Sequence, residues 1–335
     1  MKRILAIIAA LLLCGAATGL LLLRRQALPI AQPVRIELPT GSDYAALVDS
    51  LDAHGCIVNR PLFVTAARLS GLASHVVPGS YELRPGMGLV RVVHKLRAGR
   101  QDPVRITLNK VRTLAQLCQF LGDKLQVESD TLLSCFSDPE FCRRHGSTPE
   151  TVIGLFLPNT YEFYWTVTPD ELADRMNKES ERFWKKRETR LEALNLSRDE
   201  VLTLASIVEE ETNCDGEKAD IASVYLNRLH IGMALQADPT VRFAAGDFTV
   251  RRIGGAMLQN PSPYNTYRHT GLPPGPICTP SAASVDAVLE NKHTDYLFFC
   301  AKEDFSGRHR FASNLTQHQH NARLFHQALN QRGIK

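Results

Sequence analysis

The chain has 335 residues, 44% of them hydrophobic and 22% charged, a balance too apolar for a disordered chain and ordinary for a folded one. Its 39 Lys plus Arg exceed its 35 Asp plus Glu only because of Lys2, Arg3, Arg24 and Arg25; the rest holds 35 basic and 35 acidic residues. A neutral bulk has no overall pull on a polyanion, which argues against nucleic acid as a partner, and the length suggests two domains.

Ile4 to Leu23 is an uncharged run of 20 residues, bracketed by Lys2-Arg3 and Arg24-Arg25. As a helix it spans roughly 30 Å, the thickness of a bilayer's hydrocarbon core. The small residues Ala16 to Gly19 are followed by Leu20 to Leu23, and Leu13 precedes Cys14 where a lipidation site wants a small residue. The segment therefore reads as a retained anchor rather than a cleaved signal. The flanking charges tie, but a long domain translocates regardless of them, so the expectation is a short cytoplasmic stub and a large exported domain on a single-pass inner-membrane anchor. Eight cysteines, seven of them beyond the anchor, show no CxxC or zinc spacing and read as small buried hydrophobes.

Residues 26–33 contain two Pro and no charge and read as a linker. A small unit over 34–100 follows, in the order β-α-α-β: a strand at 34–38, a helix at 43–53 with Ser42 as N-cap and Ala46, Leu47 and Leu51 on one face, a helix at 61–69, and a strand at 79–83 closing beside the first. A helix over 89–96 continues it. The larger region, 101–335, begins with the strand VRITL (104–108) and helices near 113–121 and 129–135. One long charged helix is expected from Pro169 to Leu194, and Ser197-x-x-Glu200 is a capping box opening the next. Strands at 294–299 and 309–312 and a helix over 315–329 close the chain. The fold class is α+β.

The helix VLTLASIVEEET (201–212) carries the most informative residues. At about 100° per residue, Leu204, Ala205 and Val208 cluster with Val201, while Thr203, Ser206 and Glu210 share the opposite face, which makes Glu210 the solvated glutamate. Glu209 falls near Leu202, and Glu211 between Leu204 and Ile207. A carboxyl in apolar surroundings has a raised pKa and stays protonated near neutrality, as a general acid must. Geometry leaves Glu209 and Glu211 both open, beside the plainer reading that all three bind basic neighbours or water. A turn is expected at Asp215-Gly216. Beyond it, PYNTYRHTGLPPGPI (263–277) has four Pro and two Gly in fifteen residues and is a loop. Its Tyr264, Asn265, Tyr267 and Arg268 suit a saccharide surface.

The run ASIVEEET, then ASVYLNRL, LQADPTV, YNTYRHTGLPPGPI, and DYLFFCA with HRFASNLTQHQHN, resembles the endolytic murein transglycosylases, the YceG-like proteins. Several long motifs in one order over nearly the whole chain make the resemblance specific. It implies a LysM-like small unit and a catalytic domain over 101–335 that cleaves the β-1,4 bond between N-acetylmuramic acid and N-acetylglucosamine, leaving 1,6-anhydro ends and ending strand elongation. It implies Glu211, the last glutamate of the E-x-E-T motif, as the acid/base. Glu209, Gln236, Asp238, Thr240, Tyr264, Asn265 and Tyr267 are implied to line the cleft. Where relatives carry an acidic residue in a PDTY-like motif this chain has Pro158-Asn159-Thr160-Tyr161, so the Asn159 amide, helped by Glu162, would take its place, and Tyr161 is implied beside them as a substrate contact. The implied partners are peptidoglycan strands, the membrane and peptidoglycan synthases, with no cofactor and no metal. The rival readings are a muramidase, with Glu209, Glu162 or Asp238 activating water, and a non-catalytic peptidoglycan-binding scaffold. His318, His320 and His326, with His309 nearby, lack ligand spacing and read as surface or packing residues.

Overall fold

The computed structural model describes residues 28–250 and 253–333. The expected anchor over residues 4–23 lies outside them; among the described residues no helix is long and apolar enough to cross a membrane. The described residues are mixed α and β, with three two-stranded sheets among them, and divide into two compact units.

Among the described residues the first unit comprises 28–106 with Lys124–Glu128 and Glu162–Thr168. Strand β1 (Val34–Leu38) pairs antiparallel with β2 (Gly79–Leu83), placing Ile36 opposite Tyr81. Between them run α1 (Tyr44–Ala53) and α2 (Arg60–Ser70), and α3 (Leu89–Arg97) follows. The cap of α1 is Asp43, not Ser42: its carboxylate accepts the Ala46 N–H at 2.8 Å. The buried stripe is Leu47, Val48 and Leu51, and Ala46, expected on it, is exposed. On α3 the buried residues Leu89, Val92, Val93 and Leu96 follow the 3–4 spacing of an amphipathic helix and join the core formed by Ile36, Tyr81 and Leu83.

Strand β3 (Val104–Leu108) pairs with β4 (Asn159–Phe163), and the division between the units falls within both strands. The second unit holds α4 (Leu114–Gly122), α5 (Ser129–Ser137) and a short α6 (Pro139–Arg144) that sequence reading missed, although Asp138 caps it and Pro139 opens it. The single charged helix expected over 169–194 is two, α7 (Pro169–Lys185) and α8 (Glu188–Leu194). Arg187 leaves helical geometry there and its guanidinium pairs with Asp286. Asn195, in the left-handed conformation, ends α8.

Helix α9 (Arg198–Glu211) opens with both halves of the Ser197/Glu200 capping box. It is buried on every side from Val201 to Val208, including Thr203 and Ser206 on the face expected to meet water. Ser206 is satisfied internally, donating to the Thr203 carbonyl and accepting the Ile277 N–H at 2.9 Å. The helix is thus the axle of the unit, wrapped by α10 (Asp215–His230), α11 (Asp238–Ala245), α12 (Ala282–Glu290) and the 263–277 loop. Asp215 and Gly216, expected as a turn, are the first residues of α10. Strands β5 (Phe298–Ala301) and β6 (His309–Ala312) form an antiparallel hairpin, against which α13 (Leu315–Gln331) packs. The seven described cysteines are free thiols.

Candidate active site

Three consecutive glutamates end α9, and the structure sends them to three different environments. Glu210 is not solvated: its side chain is 10% exposed and bound by Lys110 and Arg112. A helical wheel sees only its own helix, and these partners come from the β3–α4 connection.

Glu209 is buried among donors. Its carboxylate accepts from the hydroxyls of Ser281 and Ser284 at the start of α12 and from the Lys218 ammonium, itself 5% exposed. Burial pushes its pKa up, but the two serine hydroxyls and the ammonium outweigh this, and the net shift is downward. The largely apolar surroundings expected of Glu209 are therefore absent, and it is a fixed anion that ties α9 to α10 and α12.

Glu211 has the opposite balance. Burial raises its pKa to about 7. The Tyr225 phenol, donating to Oε1 at 2.6 Å, and the charges of Arg242 and Arg228 offset this in part, while the charge of Asp238 adds to it. The phenol is itself buried and its pKa lies well above the ordinary value, first from burial and then from Glu211, so Tyr225 remains a hydrogen-bond donor. Glu211 lines a cavity of about 760 Å³, whereas Glu210 borders only a pocket of about 20 Å³ and is held there by its cations. Thr212, Asn213 and Cys214 form one wall of the larger cavity; Ala301, Lys302 and the run from Phe305 to His309 in the β5–β6 hairpin, with Phe325 of α13, form the rest. This size is typical of ligand clefts.

Backbone strain gathers at the same place. Among the described residues four non-glycine residues have positive φ, of which Asn195 and Asn291 are helix caps. The other two are Gln236 at φ 52, two residues from Asp238, and Phe305 at φ 58 in the cavity wall. An aromatic residue in this region is uncommon and needs support, which Phe305 receives from Phe325 and from the Arg332 guanidinium over its ring.

The remaining expected site residues divide by accessibility. Gln236 is exposed and Asp238 is half-buried, accepting the Tyr267 hydroxyl at 2.7 Å. Tyr264 packs on Phe243. Asn265 does not fit a sugar-binding role: it is fully buried, its amide nitrogen donates to the carbonyls of Leu258 and Asn260, and its oxygen accepts the Tyr267 N–H. Thr240 is likewise committed, to the Ala237 carbonyl and the Thr266 hydroxyl. Tyr161 is buried with its hydroxyl on the Leu157 carbonyl. These three polar groups are spent on internal partners, and Asn265 shows why an amide in a Pro-rich segment misleads: a buried irregular backbone needs such partners. Asn159 is exposed at the start of β4, its oxygen on the Thr160 N–H, and Glu162 is exposed and belongs to the first unit. Sequence reasoning missed Tyr225, Arg228, Arg242 and His309. The first three lie in the ASVYLNRL and DPTVRF runs at helical spacing, but nothing in those runs shows which face meets Glu211.

The pattern that defines the YceG-like family matches residues 36–324. The chain belongs to the YceG-like family. It is 31% identical over 301 residues to the endolytic murein transglycosylase of Bacillus subtilis, covering 85% of this chain and 82% of that protein. It is 25% identical over 318 residues to the endolytic murein transglycosylase of Streptococcus pneumoniae, covering 86% of this chain and 57% of that longer protein. Among solved structures, a YceG-like protein of Listeria monocytogenes superposes with a TM-score of 0.56 at 30% identity, covering 86% of this chain and 99% of that one.

Proposed function

We propose that this protein is a membrane-anchored endolytic transglycosylase that cleaves the N-acetylmuramic acid–β-1,4–N-acetylglucosamine bond of peptidoglycan, leaves 1,6-anhydro ends and terminates growing strands. The observation that carries the reading is the single carboxyl group, Glu211, held near neutral pKa at the wall of a cavity. A group with that pKa can give a proton and take one back at physiological pH. Glu211 protonates the glycosidic oxygen as the bond breaks. The resulting carboxylate then removes the proton of the muramoyl C6 hydroxyl, whose oxygen closes onto C1, and the acid is regenerated without water. Tyr225 orients the carboxyl and stabilises its anionic form between the two steps.

The family membership and the relatives' activity support peptidoglycan as substrate. The uncharged run before residue 24 supports a single inner-membrane anchor with both units on the outer side, and the β1-α1-α2-β2 order supports a LysM-like glycan-binding role for the first unit. Nascent strands, and the synthases that make them, are the partners this placement implies.

A muramidase would need a second carboxylate to activate water. Glu209 is committed to Lys218, Ser281 and Ser284, and of the other candidates, Glu162 and Asp238, Asp238 is the one whose charge acts on Glu211. Mass spectrometry of products from intact sacculi decides: transglycosylation leaves ends lighter by one water than hydrolysis. Reducing ends from the wild type, or undiminished release of anhydro ends by Glu211→Gln, would overturn the proposal.

A further inference from the structure

We propose that His309 is a second substrate-contacting residue of this site and that Glu217 is its positioning residue. The inference rests on reading the cavity beside Glu211 as the glycan cleft. It starts from a buried carboxyl group that the mechanism above does not use. Glu217 lies in the first turn of α10, 9% exposed, where the helix N-terminus favours an acceptor. Its two oxygens are turned to one residue: Oε1 accepts the His309 backbone N–H at 3.0 Å, and Oε2 faces His309 Nδ1 at 3.4 Å. A carboxyl buried only to fix a surface hairpin would need the first contact alone. The second fixes the ring.

The ring it fixes is in the site. His309 lines the same cavity as Glu211. It packs edge-on against Phe299, which packs edge-on against Tyr225, the residue that holds Glu211. Acid and imidazole are thus set by one aromatic stack. With Nδ1–H directed to Glu217, the neutral ring presents Nε2 as an acceptor, the orientation logic of a ring nitrogen held from behind by a carboxylate. In a glycan cleft that nitrogen would accept a hydrogen bond from a sugar hydroxyl or acetamido N–H and set the scissile bond against Glu211.

The test uses anhydro-end release from purified peptidoglycan by the full chain, with melting curves for each variant. His309→Phe, which keeps the packing on Phe299, is expected to lower kcat/KM 10- to 100-fold. His309→Gln, which can place an acceptor near the Nε2 position, is expected to recover at least part of that loss. Glu217→Gln keeps an acceptor for the backbone N–H but frees the ring; it should lower kcat more than it raises KM, and its effect should vanish in the His309→Phe background. Wild-type turnover by His309→Phe, or additive losses in the double variant, would overturn the inference. If His309→Phe does not fold, the comparison of His309→Gln with His309→Leu carries the same decision. If the wild type releases no anhydro ends, the functional reading fails, and the inference is judged by binding of muropeptide oligomers: equal affinity for wild type and His309→Phe would sink it.

Discussion

Replacing Glu211 by Gln removes one ionisable group and keeps the shape, so its effect on stability reports the burial of the carboxyl. The folded pKa of about 7 lies above the ordinary 4.5. Below 4.5 the side chain is neutral whether folded or unfolded, and the wild type carries no penalty. As pH rises toward 7 the unfolded chain has released its proton and the folded chain has not, so stability falls, and the loss is complete above 7. A gap of about 2.5 units at 1.36 kcal/mol each corresponds to about 3 kcal/mol. Solvent reaching the carboxyl through the cavity would screen part of this, which makes it an upper bound. Glu211→Gln should match the wild type at pH 4.5 and exceed it by up to about 3 kcal/mol at pH 8, roughly 6–12 °C in melting temperature for a unit of this size. Trp184, buried in the second unit, reports its unfolding by fluorescence in a Trp165→Phe background. A stability difference between wild type and Glu211→Gln that does not change between pH 4.5 and 8 would refute the reasoning.

Tyr225→Phe removes the donor that favours ionised Glu211 while keeping the ring. The carboxyl pKa should rise by roughly half to one unit, moving the high-pH limb of the kcat/KM profile upward; an unmoved limb would show that the phenol does not act on the carboxyl. Glu209→Gln removes one of the two carboxylates on the buried Lys218, leaving Asp215, and should cost about 1.5–3 kcal/mol in denaturant unfolding at pH 7. Gly275→Ala would put a methyl carbon 2.1 Å from the Glu150 carbonyl oxygen, a backbone atom that has no slack to give. It should destabilise by about 3 kcal/mol or more and disturb the 263–277 loop, read as an unfolding midpoint shifted well below that of Gly271→Ala, whose site is open although its φ of 86° is strained.

How much of this was legible in the sequence depended on whether a residue's partners lie near it in the chain. Strands 34–38, 79–83 and 104–108 and the Ser197 capping box follow from local patterning, and the structure has them at the same positions. The break at Arg187 was not legible, because it answers to Asp286, 99 residues away. The environments of Glu209 and Glu210 were misread for the same reason: Lys110, Arg112 and Ser281 approach from other elements. Asn265 looked like a sugar ligand because polar side chains in a loop look alike in sequence whether they face water or staple the loop from within, and the resemblance that implied Thr240 does not show that its hydroxyl is spent on Ala237 and Thr266. His309 reads in sequence as a surface or packing residue because its contact with Glu217 comes from 92 residues earlier.

The divergence of Glu209 and Glu211 is the chemical centre of the fold, and one helix end produces it. Two residues apart on α9, the side chains are separated by about 200° of helix rotation, so each sees a different neighbour. Glu209 meets a helix N-terminus, two hydroxyls and an ammonium, and its pairing contributes stability that persists above the ordinary carboxyl pKa and is lost as pH falls through its lowered value. Glu211 meets a single phenol, with the Asp238 charge against the charges of Arg242 and Arg228, and loses stability as pH rises through 7. Their pH dependences have opposite signs, so around neutrality the anion that fixes the helix is charged while the acid that uses the cavity is balanced between its two forms. A swap of the two environments would leave a helix anchored by a neutral acid and a cavity facing a permanent anion, which can accept a proton but has none to give.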